Sequence, residues 1–383
     1  MALPLPLAGI RILAIEQYGA GPFGSMHLAD LGAELIKIEP PGGGDISRAT
    51  GPHFLGAHDS QFFQTFNRNK KSVVLDLKSE AGRADLHRLV AGSDAVLNNL
   101  RGDQPAKLGL THADLAAFNP RIVCGHLSAY GRDNDRSGWP GYDYLMQAEA
   151  GFMHLTGEPE GLPARMGLSI VDYMSGVTLA TGLLAALIGA MKTGRGRDVD
   201  VSLFDVALAQ LTYPATWQLN GAHPTTRQAR SAHPTTVPCQ LFATADGHVF
   251  VMCMTDNFWQ LLIGEIDDPM LRDARYASPA GRRAYKGELI ARLDAAFAMR
   301  STSQWLEVLT GRVPIAPVLE LAAALVNPYV QQIGMVQALP HESDPDFRVL
   351  ANPIKLDGQR LPGHGCSALG ADSEMLLRAT RPG

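Results

Sequence analysis

Cysteine is scarce in this chain. Cys124, Cys239, Cys253 and Cys366 are its four thiols among 383 residues, far apart and without metal-type spacing. That pattern excludes a disulfide-framed scaffold and reads as buried thiols of a reducing compartment, so a cytoplasmic location is expected. Positive charge is not in excess either. Lys and Arg number 33 against 38 Asp and Glu, a formal charge of −5. A globally basic nucleic-acid binder is thereby excluded, while a local basic pocket is not. The twelve histidines include no H-E-x-x-H, and no metal site is expected. Met1 to Pro6 lack the basic and long apolar regions of a signal peptide. Only Tyr173 to Met191 is uncharged for nearly the length of a membrane span. It carries Ser175, Thr178 and Thr181, and Gly194 beyond it reads as a helix stop, so a buried core helix is expected.

What remains is an ordinary globular composition, 46% hydrophobic and 19% charged, long enough for two domains. Strand and helix signals alternate through the first half. Ile10 to Glu16, Glu34 to Glu39, Ser72 to Leu77, Ala95 to Asn98 and Ile122 to Leu127 read as strands, with helices at Pro22 to Leu31 and Ser79 to Ala91. Such alternation predicts an α/β fold with a parallel sheet covered on both faces. Two long helices follow, over 141–155 and 172–191. The Pro-rich stretch 220–238, with Ala-His-Pro-Thr-Thr twice, reads as a connector. Beyond it, Asp246-Gly247 between apolar runs is a hairpin signal, followed by helical segments. The division expected is a large domain over 1–219, a linker over 220–238, a small α+β domain over 239–325 and a C-terminal segment over 326–383.

Gly19-Ala20-Gly21-Pro22-Phe23-Gly24 satisfies G-x-G-x-x-G, follows a strand and opens a helix, with Glu39 ending the next strand. By itself this motif supports a nicotinamide-dependent oxidoreductase, the glycines admitting a pyrophosphate to a helix N-terminus. A tight turn into a helix, with Pro22 near its start, satisfies the same residues.

Longer blocks decide between these. Ala20-Gly21-Pro22-Phe23 is followed by Leu28-Ala29-Asp30-Leu31-Gly32-Ala33-Glu34-Leu35-Ile36-Lys37-Ile38-Glu39-Pro40-Pro41-Gly42-Gly43-Gly44-Asp45. Further blocks are Asn67-Arg68-Asn69-Lys70-Lys71-Ser72, Gly141-Tyr142-Asp143 with Gln147-Ala148, Gly167-Leu168-Ser169-Ile170-Val171-Asp172, and Pro314-Ile315-Ala316-Pro317-Val318. In order and spacing the chain resembles the family III CoA transferases, whose superfamily also holds acyl-CoA racemases. The resemblance implies a Rossmann-like large domain, a smaller α+β domain, and two chains interlocked in a homodimer. Coenzyme A is then a cosubstrate, with no tightly bound cofactor, and acyl-CoA and a carboxylic acid are the partners.

The same resemblance puts Asp172 at the family's nucleophile position, where it forms an acyl anhydride and then an aspartyl-CoA thioester. Local pattern alone makes Asp172 a helix cap. Tyr142 stands where related racemases carry His, and a phenol is a poor base near neutral pH, which favours transfer over racemisation. Asp143 is expected to orient substrate or assist acyl transfer. Gly19 and Ala20 are expected beside the CoA arm, and Lys71, Lys78, Asn99, Leu100, Arg101 and Lys107 along the CoA path. The family often has Phe at Leu100 and Arg at Lys107, so adenine packing and bidentate phosphate contact differ here. Arg48, Arg165 or His233 is a candidate partner for a second substrate carboxylate.

Overall fold

The computed structural model describes residues 3–221 and 225–379, so the first Ala-His-Pro-Thr-Thr copy begins outside the described residues. Six strands are dictated by short runs of Val, Ile and Leu: β1 (Arg11–Ile15), β2 (Glu34–Glu39), β3 (Lys70–Val74), β4 (Ala95–Asn98), β5 (Val123–Ser128) and β6 (Asp198–Ser202). They form one sheet in the order β3-β2-β1-β4-β5-β6, and every pairing is parallel. Chain direction across the sheet reverses between β1 and β4, the position where open α/β sheets form a crevice at their carboxyl ends.

Alternation along β1 sorts the core into two layers. Ile12 and Ala14 join Leu97, Val123, Leu183 and Leu187 on one face. Leu13 and Ile15 join Ile36, Val96, Leu86 and Leu89 on the other. Helix α1 (Ala20–Asp30) covers the first face with a 24-residue helix, Ile170–Thr193; α3 (Glu80–Ala91) covers the second. Between them in sequence lies α2 (Gln61–Asn67). The edge strand β3 is sheltered by the C-terminal segment: Asp372 Oδ2 accepts Ser72 N–H at 2.8 Å and Ser373 Oγ accepts Val74 N–H at 3.0 Å.

The helix expected over 141–155 is two helices. Α4 (Asp143–Glu149) ends before Gly151, whose φ of +89° no helix interior tolerates, and a four-residue turn follows at Phe152–Leu155. After it come α5 (Ile170–Thr193) and α6 (Leu203–Gln210). Strand β3 begins two residues before the stretch read from sequence, because Lys70 is buried by its ion pair rather than exposed.

Two compact units result. One holds Met1–Ala150, Gly167–Thr212 and Pro328–Gly383; the other holds Gly151–Met166 and Tyr213–Asn327. The second unit contains an antiparallel sheet of β7 (Cys239–Ala243), β8 (His248–Met252) and β9 (Ile315–Pro317). Α7 (Asp256–Gly264), α8 (Lys286–Phe297) and α9 (Thr302–Leu309) pack on it around Phe242, Trp259, Phe297 and Trp305. All four cysteines are buried free thiols. Α5 is the one described helix long and apolar enough to cross a membrane; its stripe from Val171 through Leu179, Leu183 and Leu187 is buried in the first unit.

Candidate active site

Helices α1 and α5 meet through glycine. A Cβ added to Gly24 would stand 2.2 Å from the Gly176 carbonyl oxygen, and one added to Gly176 would stand 2.4 Å from that of Ala20. Only two residues without side chains permit this backbone contact. The third glycine of the G-x-G-x-x-G pattern is therefore a helix-packing residue. One turn before Gly176, Asp172 is carried onto the start of α1. A Cβ on Gly19 would lie 3.0 Å from Asp172 Oδ2, so glycine at 19 keeps that carboxylate in place.

Asp172 is the third residue of α5, where the helix dipole favours an anion. Its surroundings oppose this. Burial, with a further push from the Asp143 carboxylate, raises its pKa to about 7. Among the described residues, no donor reaches its carboxylate oxygens. Its backbone is better held: Asp172 N–H donates to Asp143 Oδ2 at 3.0 Å, and Gln147 Nε2 donates to Asp143 Oδ1 at 2.6 Å. Asp143 is only 3% exposed. Geometrically it is a buried anchor for the Asp172 amide.

Asp172 opens into a cleft of about 310 Å³ at the carboxyl ends of β1, β4 and β5. Of the residues singled out from sequence, Gly19, Ala20, Asn99, Leu100, Arg101, Tyr142 and Asp172 line it together. Tyr142 precedes α4 and is 67% exposed. Gln17 and Leu100 also line an adjoining pocket that holds Lys78 and Leu108. Lys107 points to Asp103 at 2.6 Å, an acid that Arg101 approaches at 3.3 Å.

Lys71 is not brought to this cleft. It stands near the amino end of β3, where it pairs with Glu34 at 2.5 Å. Glu34 lines a separate cavity of about 580 Å³ with Arg11, Asn69 and His364. The buried neighbour, Lys70, instead meets Glu16 Oε1 at 2.8 Å. Arg48 is equally committed: both its Nε and Nη2 donate to Glu39 at 2.8 Å, and it is 1% exposed. His233 Nδ1 accepts the Thr235 and Thr236 amides at 3.1 and 3.0 Å, the work of a turn cap. Sequence reasoning passed over Gln17, Tyr18, Ser128 and Trp139, which also line the cleft. For Gln17 and Tyr18 the signal was available, since they immediately precede Gly19.

The family model of CoA-transferase family III matches residues 7–373. The chain belongs to that family. It is a CoA-transferase, and CoA is its cosubstrate. It is 34% identical over 360 residues to the succinate–glutarate CoA-transferase of Agrobacterium fabrum, covering 91% of this chain and 89% of that one. It is 33% identical to the acetyl-CoA:oxalate CoA-transferase of Acetobacter aceti, with 92% and 90% covered. Among solved structures it is similar to a CaiB/BaiF family protein of Brucella suis, with a TM-score of 0.84 at 28% identity, covering 99% of this chain and 100% of that chain. A Mycobacterium tuberculosis protein gives a TM-score of 0.85 at 29% identity, with 98% and 100% covered.

Proposed function

We propose that this transferase moves CoA from an acyl-CoA to a carboxylic acid by covalent catalysis on Asp172. The observation that carries the reading is the Asp172 carboxylate itself: free of hydrogen-bond donors among the described residues, facing a cleft at the switch point, and destabilised as an anion. In the first step a carboxylate oxygen of Asp172 attacks the thioester carbonyl. A C–O bond forms, the C–S bond breaks, and CoA leaves as the thiolate. The thiolate then attacks the aspartyl carbonyl carbon of the mixed anhydride and expels the donor acid as its carboxylate. Acceptor carboxylate attacks the resulting aspartyl-CoA thioester and releases thiolate. That thiolate takes the acceptor's acyl group and returns Asp172 as a carboxylate. No net proton is consumed, and water is the nucleophile to be kept out.

Asp143 acts through the Asp172 amide and charge. The Ala20 and Gly21 amides, in the first turn of α1, have no intrahelical acceptor and suit the oxyanion of each tetrahedral step. CoA runs from the thioester at Gly19 past Asn99, Leu100 and Arg101 toward Lys78, with Lys107 close by; Lys71 is left out of the path. Tyr142 rather than His supports transfer over α-carbon racemisation. Three relatives named for succinate with glutarate, or for oxalate, favour a dicarboxylic acceptor. The interlocked dimer is part of this reading, supported by the apolar outer face of α5, where Ile188 and Met191 are each 54% exposed.

The test incubates the protein with a panel of acyl-CoAs, traps acyl-enzyme with hydroxylamine and locates the modified residue by mass spectrometry. A hydroxamate at Asp172 is expected, with turnover abolished in Asp172→Ala. Turnover by that variant would refute the mechanism.

A further inference from the structure

Tyr18 has a φ of +67°, the left-handed region that a bulky side chain enters only at an energetic cost. Such a conformation persists where its surroundings over-determine it. Here the Tyr18 amide donates to Asp45 Oδ1 at 3.1 Å, and the Ser47 amide donates to the same oxygen at 2.8 Å. Asp45 Oδ2 faces Lys37 Nζ at 2.8 Å, and that ammonium also donates to the Glu16 carbonyl oxygen at 3.0 Å. Lys37 thus ties Asp45 to residue 16, and Asp45 ties back to residue 18. Asn99 clamps the intervening Gln17, accepting its N–H at 2.9 Å and donating to its carbonyl at 2.7 Å. Lys37 and Asp45 are 0% and 1% exposed, and neither lines the Asp172 cleft. A buried ion pair contributes little net stability over apolar replacements; fixing one conformation is its better-attested use.

We propose that Asp45, seated on Lys37, is a positioning residue that holds Tyr18 left-handed and so fixes Gly19 against the Asp172 carboxylate. This rests on Asp172 being the nucleophile. Reacting atoms must be held at about 3–3.5 Å, and a displacement of about 1 Å is enough to slow attack a hundredfold. Relaxation of Tyr18 to a right-handed or extended conformation would swing Gly19, and the acyl group beside it, by at least that distance.

A double-mutant cycle tests this. In Asp45→Asn, Lys37 claims the single amide oxygen and turns the NH2 toward the Tyr18 N–H, so the anchor is lost. Tyr18→Gly removes the need for an anchor, because glycine adopts positive φ freely. The readouts are the single-turnover rate of adduct formation on Asp172, the KM for acyl-CoA, and Tm. Asp45→Asn is expected to slow adduct formation about 10- to 100-fold in the parent, with KM little changed, and by less than about threefold in the Tyr18→Gly background. The apolar pair Lys37→Met with Asp45→Leu, which leaves no buried charge unpaired, is expected to follow the same pattern if Asp45→Asn folds poorly. Equal losses in both backgrounds would overturn the proposal while leaving Asp172 as nucleophile. A parent protein that forms no adduct at Asp172 would overturn the nucleophile reading, and this inference with it.

Discussion

Asp172 is subject to two opposed fields, the α5 dipole favouring its charge and burial beside Asp143 disfavouring it. Burial prevails. In the unfolded chain its carboxyl ionises near 3.8, and in the folded protein near 7. Between those values the unfolded state gives up its proton first, so stability falls as pH rises through that window and levels above it. Asp172→Asn removes the liability. Its stability advantage over the parent is expected to grow between about pH 4 and about pH 7, reaching on the order of 2 kcal/mol after allowance for solvent access. Thermal melts of both proteins at several pH values check this; an advantage that shrinks with pH would contradict it. On the proposed mechanism, activity obeys the same ionisation from the other side. Attack needs the carboxylate, so the adduct-forming rate is expected to rise with pH and level off above about 7.

At the scale of elements, the crossing of α1 and α5 places Asp172. Gly24 and Gly176 let the two backbones touch, and any Cβ there meets carbonyl oxygen within 2.4 Å. Gly176→Ala is expected to cost roughly 1–3 kcal/mol and to slow adduct formation, since the helix must shift to admit the methyl group. Gly189 lies on the same helix with nothing within 4 Å of an added Cβ. Gly189→Ala is expected to stabilise by roughly 0.5–1 kcal/mol without affecting catalysis. Denaturant melts of the two variants, with adduct kinetics, separate packing from propensity. The glycine-rich turn was legible from its residues, but its use was not: the same spacing serves a pyrophosphate or a close helix crossing.

Among the described residues one core is confined to residues 237–313, others surround the parallel sheet, and a small cluster joins Leu55 to Leu339, Phe347 and Val349. Trp217, Trp259 and Trp305 belong to the second unit, leaving Trp139, half exposed, in the first. Tryptophan fluorescence should therefore follow unfolding of the second unit, and far-ultraviolet circular dichroism should follow both. Denaturant transitions recorded by the two probes are expected not to coincide; a single shared midpoint would show that the units unfold as one.

Local chemistry was enough to determine the strand–helix alternation, the Asp246-Gly247 hairpin and the long apolar helix that ends at Gly194, because hydrophobic period and turn residues act over a few neighbours. The cap of that helix is Ser169, and Asp172, which local pattern made the cap, stands in its first turn. The blocks from Ala20 to Asp45 and from Gly167 to Asp172 were enough to determine the family, and the match over residues 7–373 agrees. Only the tertiary structure decided which charges are free to meet a substrate. Lys71 and Arg48 look like solvated cations in the chain, yet Glu34 and Glu39 hold them. Only the fold separated residues 151–166 from the flanking helices, since a break at Gly151 does not say which core receives the next segment. And only the fold brought Asp45 to the amide of Tyr18, a contact across 27 residues that no local pattern specifies. Pairing between distant residues depends on how the sheet registers its strands, and that register is a property of the folded chain.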